Sequence, residues 1–203
     1  MLPVKTVILA AGDFPKRDGA AWNILAAAKR VVCCDSAADG YRRRFGRDPD
    51  FVVGDLDSVR GEFAETVFDP DENVNDLGKA IRFARSRGWN DLVIVGASGK
   101  REDHTIGNFF RALAEMVEVV TDYGVFRPVS GKASFAVEKG AGISVFAPDP
   151  ATVMTSKGLQ WSLDGVKFGN LFCATLNRAA NTRFTVTSDR PVGVYVEAKC
   201  KSR

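Results

Sequence analysis

The chain has 203 residues, 45% of them hydrophobic and 26% charged, with a formal net charge of +3. That length suits one large domain or two small ones, and the apolar fraction is enough to build a core without disulfide staples. So small a charge gives no reason to expect a nucleic acid or an anionic membrane as partner.

In chain order, Thr6–Ala10 is apolar and β-branched and reads as a buried strand. Ala20–Lys29 is alanine-rich and reads as a helix, Arg30–Cys34 as a second strand, Ser36–Phe45 as a helix and Phe51–Val53 as a third strand. Asp76–Arg87 is an amphipathic helix with Leu77, Ala80, Ile81 and Ala84 on one face, ended by Gly88. Asp91–Val95 follows as a strand, Thr105–Met116 as a helix and Val117–Thr121 as a strand. This alternation predicts a Rossmann-like, mostly parallel α/β domain covered on both faces. Beyond Val125 the helical period disappears. Short β-rich pieces separated by glycine (Ser134–Val137, Ile143–Phe146, Thr152–Thr155, Gln160–Leu163, Phe184–Thr187 and Gly193–Glu197) predict a small all-β antiparallel sandwich. The domains are expected at 1–125 and 126–203, with no long linker.

The four cysteines, Cys33, Cys34, Cys173 and Cys200, form no CxxC pair, so they read as reduced, mostly buried thiols rather than zinc ligands. The apolar stretch Val7–Ala11 is too short for a signal-peptide core, and no run approaches the roughly 18 apolar residues that span a bilayer. The expected location is the cytoplasm.

Acidic residues gather where strands end. Gly54-Asp55-Leu56-Asp57-Ser58 follows a strand and places two carboxylates at i, i+2, which an extended backbone would point the same way. Two such charges repel, and a hard divalent cation relieves that repulsion; a solvated turn is the alternative. Asp71-Glu72-Asn73-Val74-Asn75-Asp76 precedes a helix that Asn75 would cap and whose dipole Asp76 would complement. Gly96-Ala97-Ser98-Gly99-Lys100-Arg101-Glu102-Asp103-His104 joins a strand to a helix. It is not a Walker A loop, because only two residues separate its glycines and Arg101 stands where Ser or Thr is required. Its basic pair at a helix start still suits phosphates, and Asp103 reads as a metal ligand or a base. His104, the one histidine, reads as a local structural residue, and a single histidine leaves no Ser-His-Asp triad. Asp35, after the second strand, either caps the next helix or faces the same crevice as Asp55. Acid-rich loops beside a basic one suit a metal-bound polyphosphate.

On these motifs the chain resembles the thiamine pyrophosphokinases along nearly its whole length. The family's Gly-Asp-x-Asp-Ser is Gly54–Ser58. Its Asp-Gln-x-x-Thr-Asp is Asp71–Asp76, followed by Lys79. Its Gly-Gly-Arg-x-Asp-His-Thr is Gly99–Thr105, followed by Asn108. Gly158-Leu159-Gln160-Trp161-Ser162-Leu163 resembles its Gly-Leu-x-Trp-x-Leu, and Thr175-Leu176-Asn177 its Thr-Ser-Asn. Glu72, Asn75, Lys100 and Leu176 depart from the family's Gln, Thr, Gly and Ser.

The resemblance implies an α/β domain that binds ATP and Mg²⁺, then a β-sandwich that binds thiamine. It further implies a homodimer whose active sites are shared between subunits, and diphosphate transfer from ATP to the thiamine hydroxyl with release of AMP. It makes Asp55, Asp57, Asp76 and Asp103 the metal and reaction centre, with Arg101 on the phosphates. Asp35, Glu72, Asn75, Lys79, Trp161 and Asn177 become substrate-side residues. The aromatic face of Trp161 suits stacking on a pyrimidine or attraction of a thiazolium, where the alternative is a core tryptophan. Two other activities stay open: a diphosphokinase acting on a pterin alcohol, and a protein that senses thiamine without turnover.

Overall fold

The structure is a computed structural model that describes residues 6–198, so Cys200 lies outside the described residues. The chain divides into two compact units between Asp122 and Tyr123.

The first unit is an α/β layer structure. Its strands are β1 (Thr6–Leu9), β2 (Arg30–Cys34), β3 (Phe51–Gly54), β4 (Thr66–Phe68), β5 (Leu92–Val95) and β6 (Glu118–Val120). They lie in the order β6-β5-β1-β2-β3-β4, and every neighbouring pair is parallel. All residues of β1 and β5 are buried, as expected of strands covered on both faces by crossover helices. The helices are α1 (Ala20–Ala26), α2 (Ala37–Phe45), α3 (Asp76–Ser86) and α4 (Glu102–Ala114). From β1 the chain winds outward to β2, β3 and β4, then returns to lay β5 on the other side of β1. The carboxyl ends of β1 and β5 therefore form the switch point at which α/β sheets hold ligands.

Two helix ends differ from the sequence reading by three residues, and the others by two or fewer. Helix α1 stops at Ala26 because the chain must already turn into β2 at Arg30. Helix α4 starts at Glu102, where Glu102 and Asp103 answer the positive end of its dipole. Strand β4 was not foreseen: it has three residues and none is buried, so no apolar pattern marks it.

The second unit is antiparallel. Its strands are β7 (Gly124–Ala136), β8 (Gly142–Phe146), β9 (Met154–Lys157), β10 (Ala174–Arg178) and β11 (Arg183–Glu197), ordered β10-β8-β11-β7 with β9 also on β11. Long β11 works in two halves. Arg183–Ser188 pairs with β7 and β9, and Gly193–Val196 with β7 and β8. The register shifts between Ser188 and Val192, where Pro191 has no N–H to give. Both halves feed one core: Phe184 and Val186 from the first, Val192 and Val194 from the second, with Phe135, Ile143, Val145, Met154 and Phe168. The sandwich is thus built from two long bent strands, and the expected short strands at Phe184–Thr187 and Gly193–Glu197 are one. Gln160–Leu163 is no strand. Leu159 and Leu163 are buried and the three residues between them are exposed, a spacing of four that makes an arch. Among the described residues, no helix is long and apolar enough to cross a membrane.

Candidate active site

In the first unit, a cleft of about 570 Å³ opens at the carboxyl ends of β1, β2, β3 and β5. Two glycine-bearing loops close one side. Gly12 N–H donates to the Gly96 carbonyl at 2.9 Å and Asp13 N–H to that of Ser98 at 2.7 Å, which fastens the loop after β1 to the loop after β5. A Cβ at position 12 would lie 2.4 Å from the Ser98 oxygen, so only glycine permits this approach.

Opposite stand the carboxylates. Oxygens of Asp35, Asp55 and Asp57 all lie within 4.8 Å of one another. Asp35 follows β2 in a left-handed backbone conformation with φ 40°, and its side chain comes against the end of β3. A Cβ on Gly54 would lie 3.2 Å from Asp35 Cβ and 3.2 Å from Asp76 Oδ1, so the bare glycine lets all three segments meet. Asp55 and Asp57 converge for a different reason from the one the i, i+2 spacing gave. The backbone is not extended there: Leu56 has φ 61°, and the turn brings Asp57 N–H to 3.4 Å from Asp55 Oδ1.

Asp35 is 5% exposed, and its Oδ1 is buried with no hydrogen-bond partner. Burial first, then the neighbouring Asp76 carboxylate, raise its pKa above the ordinary carboxylate value; Asp55 and Asp57 add to the rise and the Ser58 hydroxyl opposes it. A buried carboxylate with one unpartnered oxygen, grouped with two further carboxylates, is an oxygen donor set fit for a hard divalent cation. Cys34 also lines the cleft, but burial and the Asp76 and Asp35 charges push its thiol pKa well up, so it is no nucleophile.

Helix α3 delivers the next group. Asn75 caps it by accepting from Gly78 N–H at 3.0 Å, and its amide nitrogen donates to Asn108 Oδ1 at 3.2 Å. Asn108 in turn donates to the Ala97 carbonyl at 3.0 Å, a buried amide bridge between α3, α4 and the β5–α4 loop. Lys79 is buried, with Nζ 3.2 Å from Asp76 Oδ1 and 3.9 Å from Asp55 Oδ2. Glu72 lines the cleft and is exposed. Asp71 is turned away and binds Arg82 at 3.2 Å.

On the β5–α4 loop, Lys100 Nζ donates to the Ala11 carbonyl at 2.8 Å. Arg101 grips Asp103 with two bonds, at 3.1 and 2.6 Å, and Asp103 also accepts from His104 N–H at 2.9 Å. Arg101 holds the Asp103 carboxyl down at about 2. Of the four carboxylates expected at the metal, Asp55 and Asp57 thus stand with Asp35, Asp76 sits beside Asp35 and Gly54 and holds Lys79, and Asp103 is committed to Arg101. Of the two readings of Asp35, a helix cap or a side chain facing the crevice of Asp55, the structure has the second, although its place among the candidate metal ligands was not foreseen. Only the pairing of β2 with β3 brings them together, and sequence does not give that pairing.

In the second unit, Trp161 tops the arch between Leu159 and Leu163 with its side chain 53% exposed. Asn177 is 4% exposed and bonds the Trp161 backbone on both sides. Leu176 is 84% exposed and has φ 65° at a bulge in β10. Cys33 and Cys34 are buried, whereas Cys173 is exposed because it sits on the turn before β10.

Comparison with known proteins gives a consistent result. Residues 21–120 match the family model described as thiamin pyrophosphokinase, catalytic domain, and residues 124–195 the one described as thiamin pyrophosphokinase, substrate-binding domain. Thiamine pyrophosphokinase 3 of rice (Oryza sativa subsp. japonica) is 31% identical over 74% of this chain and 66% of its own length. Thiamine pyrophosphokinase 1 of the same plant is 27% identical over 75% of this chain and 67% of its own. The chain therefore spans about two thirds of these relatives. Two solved structures share the fold. The thiamine pyrophosphokinase of Bacillus subtilis has a TM-score of 0.74 at 16% identity, covering 96% of this chain and 99% of that one. The enzyme of Candida albicans has a TM-score of 0.77 at 14% identity, covering 96% and 89%.

Proposed function

The chain belongs to the thiamin pyrophosphokinase family of enzymes, and from that premise we propose that it transfers the diphosphate of ATP to the hydroxyl of thiamine, releasing AMP. The observation that carries this reading is the convergence of Asp35, Asp55 and Asp57 at the switch-point cleft, with one buried carboxylate oxygen left unpartnered. In the reaction, the thiamine hydroxyl oxygen forms a bond to the β-phosphorus, the bond from that phosphorus to the α-phosphate oxygen breaks, and AMP leaves with the electron pair. Asp35, Asp55 and Asp57 would hold Mg²⁺, which when bound neutralises phosphate charge and orients the triphosphate. Lys79 keeps Asp55 and Asp76 in place. Backbone amides of the Gly96–Gly99 loop, with Lys100 and Arg101, suit the phosphates. Asp103 is a poor proton acceptor while Arg101 grips it, since a carboxyl near 2 releases its proton readily. For Asp103 to take the hydroxyl proton, Arg101 would first have to move to the phosphates.

The proposal extends to the second unit as the thiamine-binding domain, with Trp161 as the aromatic face for the acceptor. It extends also to a homodimer with shared sites, working in the cytoplasm, where free thiols such as Cys173 stay reduced. Purified protein incubated with ATP, Mg²⁺ and thiamine should yield AMP and thiamine diphosphate in equal amounts. Product from a pterin alcohol alone, or thiamine binding with no AMP formed, would replace this reading with one of its rivals.

A further inference from the structure

The arch that carries Trp161 is anchored by its ends. Leu159 and Leu163 enter the core of the second unit, and Gln160, Trp161 and Ser162 stand outside it. One flank of the arch runs antiparallel to the chain that follows β10. Ala180 N–H donates to the Gly158 carbonyl at 2.8 Å, Leu159 bridges Ala179, and Gln160 N–H donates to the Arg178 carbonyl at 2.8 Å. The next pair, Trp161 and Asn177, falls where such a ladder has no main-chain hydrogen bond between the two residues. The Asn177 side chain ties Trp161 down instead. Trp161 N–H donates to Asn177 Oδ1 at 3.2 Å, and Asn177 Nδ2 donates to the Trp161 carbonyl at 2.7 Å. Oδ1 also accepts from Arg178 N–H at 2.8 Å.

A carboxamide is the side-chain copy of a peptide group, with one acceptor and one donor face. Asp at 177 would offer no donor to the Trp161 carbonyl, Leu would offer neither group, and Gln would reach one methylene too far. With the oxygen doubly engaged and one N–H spent, the amide of this 4% exposed residue has little left for a ligand. The indole is 53% exposed, and among the described residues no aromatic ring stacks on it. What fixes its direction is the backbone beneath it, and Asn177 holds both polar groups of that backbone.

We propose that Asn177 is a positioning residue: it clamps the Trp161 backbone and so aims the indole at the acceptor ring, rather than touching the acceptor itself. This rests on the reading that the second unit binds thiamine. The test is a double-mutant cycle on the full chain, read as thiamine affinity by calorimetry without ATP and as steady-state constants. Asn177→Asp should weaken thiamine binding about ten-fold, with kcat and the KM for ATP within a few-fold of wild type, the pattern of lost ground-state stacking. In a Trp161→Ala background, Asn177→Asp should change thiamine affinity by less than about two-fold, because a group that acts only through the indole has nothing left to position. An equal loss in both backgrounds would make Asn177 a direct ligand and overturn the proposal, as would unchanged affinity in the single variant. Should Asn177→Asp fail to fold, Asn177→Ser carries the same comparison, and failure of both would assign Asn177 to the core and reject its role at the site. Wild-type protein that binds no thiamine would overturn the parent reading along with this one, a result distinct from the others.

Discussion

Lys79 contacts two of the four carboxylates that crowd the cleft, and it does so from a buried position. The remaining like-charge repulsion is what a divalent cation would relieve, so a carboxylate that is buried there is expected to cost the free protein stability, whereas an exposed one costs little, and both are expected to aid catalysis. Asp57 is exposed, so Asp57→Asn should leave the melting temperature nearly unchanged. The same change should lower turnover on the order of 100-fold, the scale seen when an electrostatic contact to the transition state is lost. Activity within a few-fold of wild type at saturating Mg²⁺ would remove Asp57 from the site. Asp35 is buried, and its pKa is raised. The folded state binds its proton more tightly than the unfolded state does, so Asp35 penalises folding above its raised pKa. The penalty fades as pH falls through that value and is gone below the ordinary carboxylate value. Asp35→Asn should therefore raise the melting temperature of metal-free protein at pH 7, and the gain should shrink at pH 4. A variant that melts lower than wild type at pH 7 would contradict this account.

At the scale of elements, the tie between the β1 and β5 loops is the joint on which the cleft depends. Gly12→Ala would drive a Cβ to 2.4 Å from one carbonyl oxygen and 2.5 Å from another, so the loops must part. The expected cost is about 1–3 kcal/mol of stability, as for other overpacked contacts, with a raised KM for ATP and little change in thiamine affinity. Unchanged melting and unchanged ATP kinetics would show that the joint is not needed. The α/β half was legible in the sequence because its strands are continuous apolar runs and α3 keeps a clean apolar face. Strands β7 and β11 were read only as fragments, since Ser130-Gly131-Lys132 and Ser188-Asp189-Arg190-Pro191 interrupt their alternation. Those breaks lie where β11 shifts register, so the two strands hold each other through a stretch that no local pattern marks. The site was legible to the same degree. Strand-end aspartates announced themselves by position, whereas the grouping of Asp35 with Asp55 and Asp57, and the commitment of Asp103 to Arg101, depend on pairing and turn geometry that spacing does not encode.

For the whole molecule, the exposed apolar side chains call for a partner surface. On α4, Ile106 and Phe110 are one helical turn apart and 59% and 45% exposed, with Met116 beyond the helix at 45%. In the second unit, Trp161, Phe172 and Leu176 are 53%, 67% and 84% exposed. A second copy of the chain is the occupant that the proposed function names, and sedimentation at micromolar concentration should give twice the 22.0 kDa chain mass. Sharing of sites makes a sharper demand. If each site takes its carboxylates from one subunit and its indole from the other, a chain with Asp57→Asn and a chain with Trp161→Ala spoil opposite halves of a site. In a mixed dimer both lesions fall on one site and leave the other whole. Random exchange of equal amounts makes half the dimers mixed, each with one intact site of two, so about a quarter of wild-type activity should return at thiamine well below the variants' KM. If each subunit instead completes its own site, every site keeps one lesion in any mixture, and mixing should add nothing to the average of the two variants. That null result from a mixture shown by mass analysis to contain mixed dimers would reject shared sites while leaving the dimer itself in place.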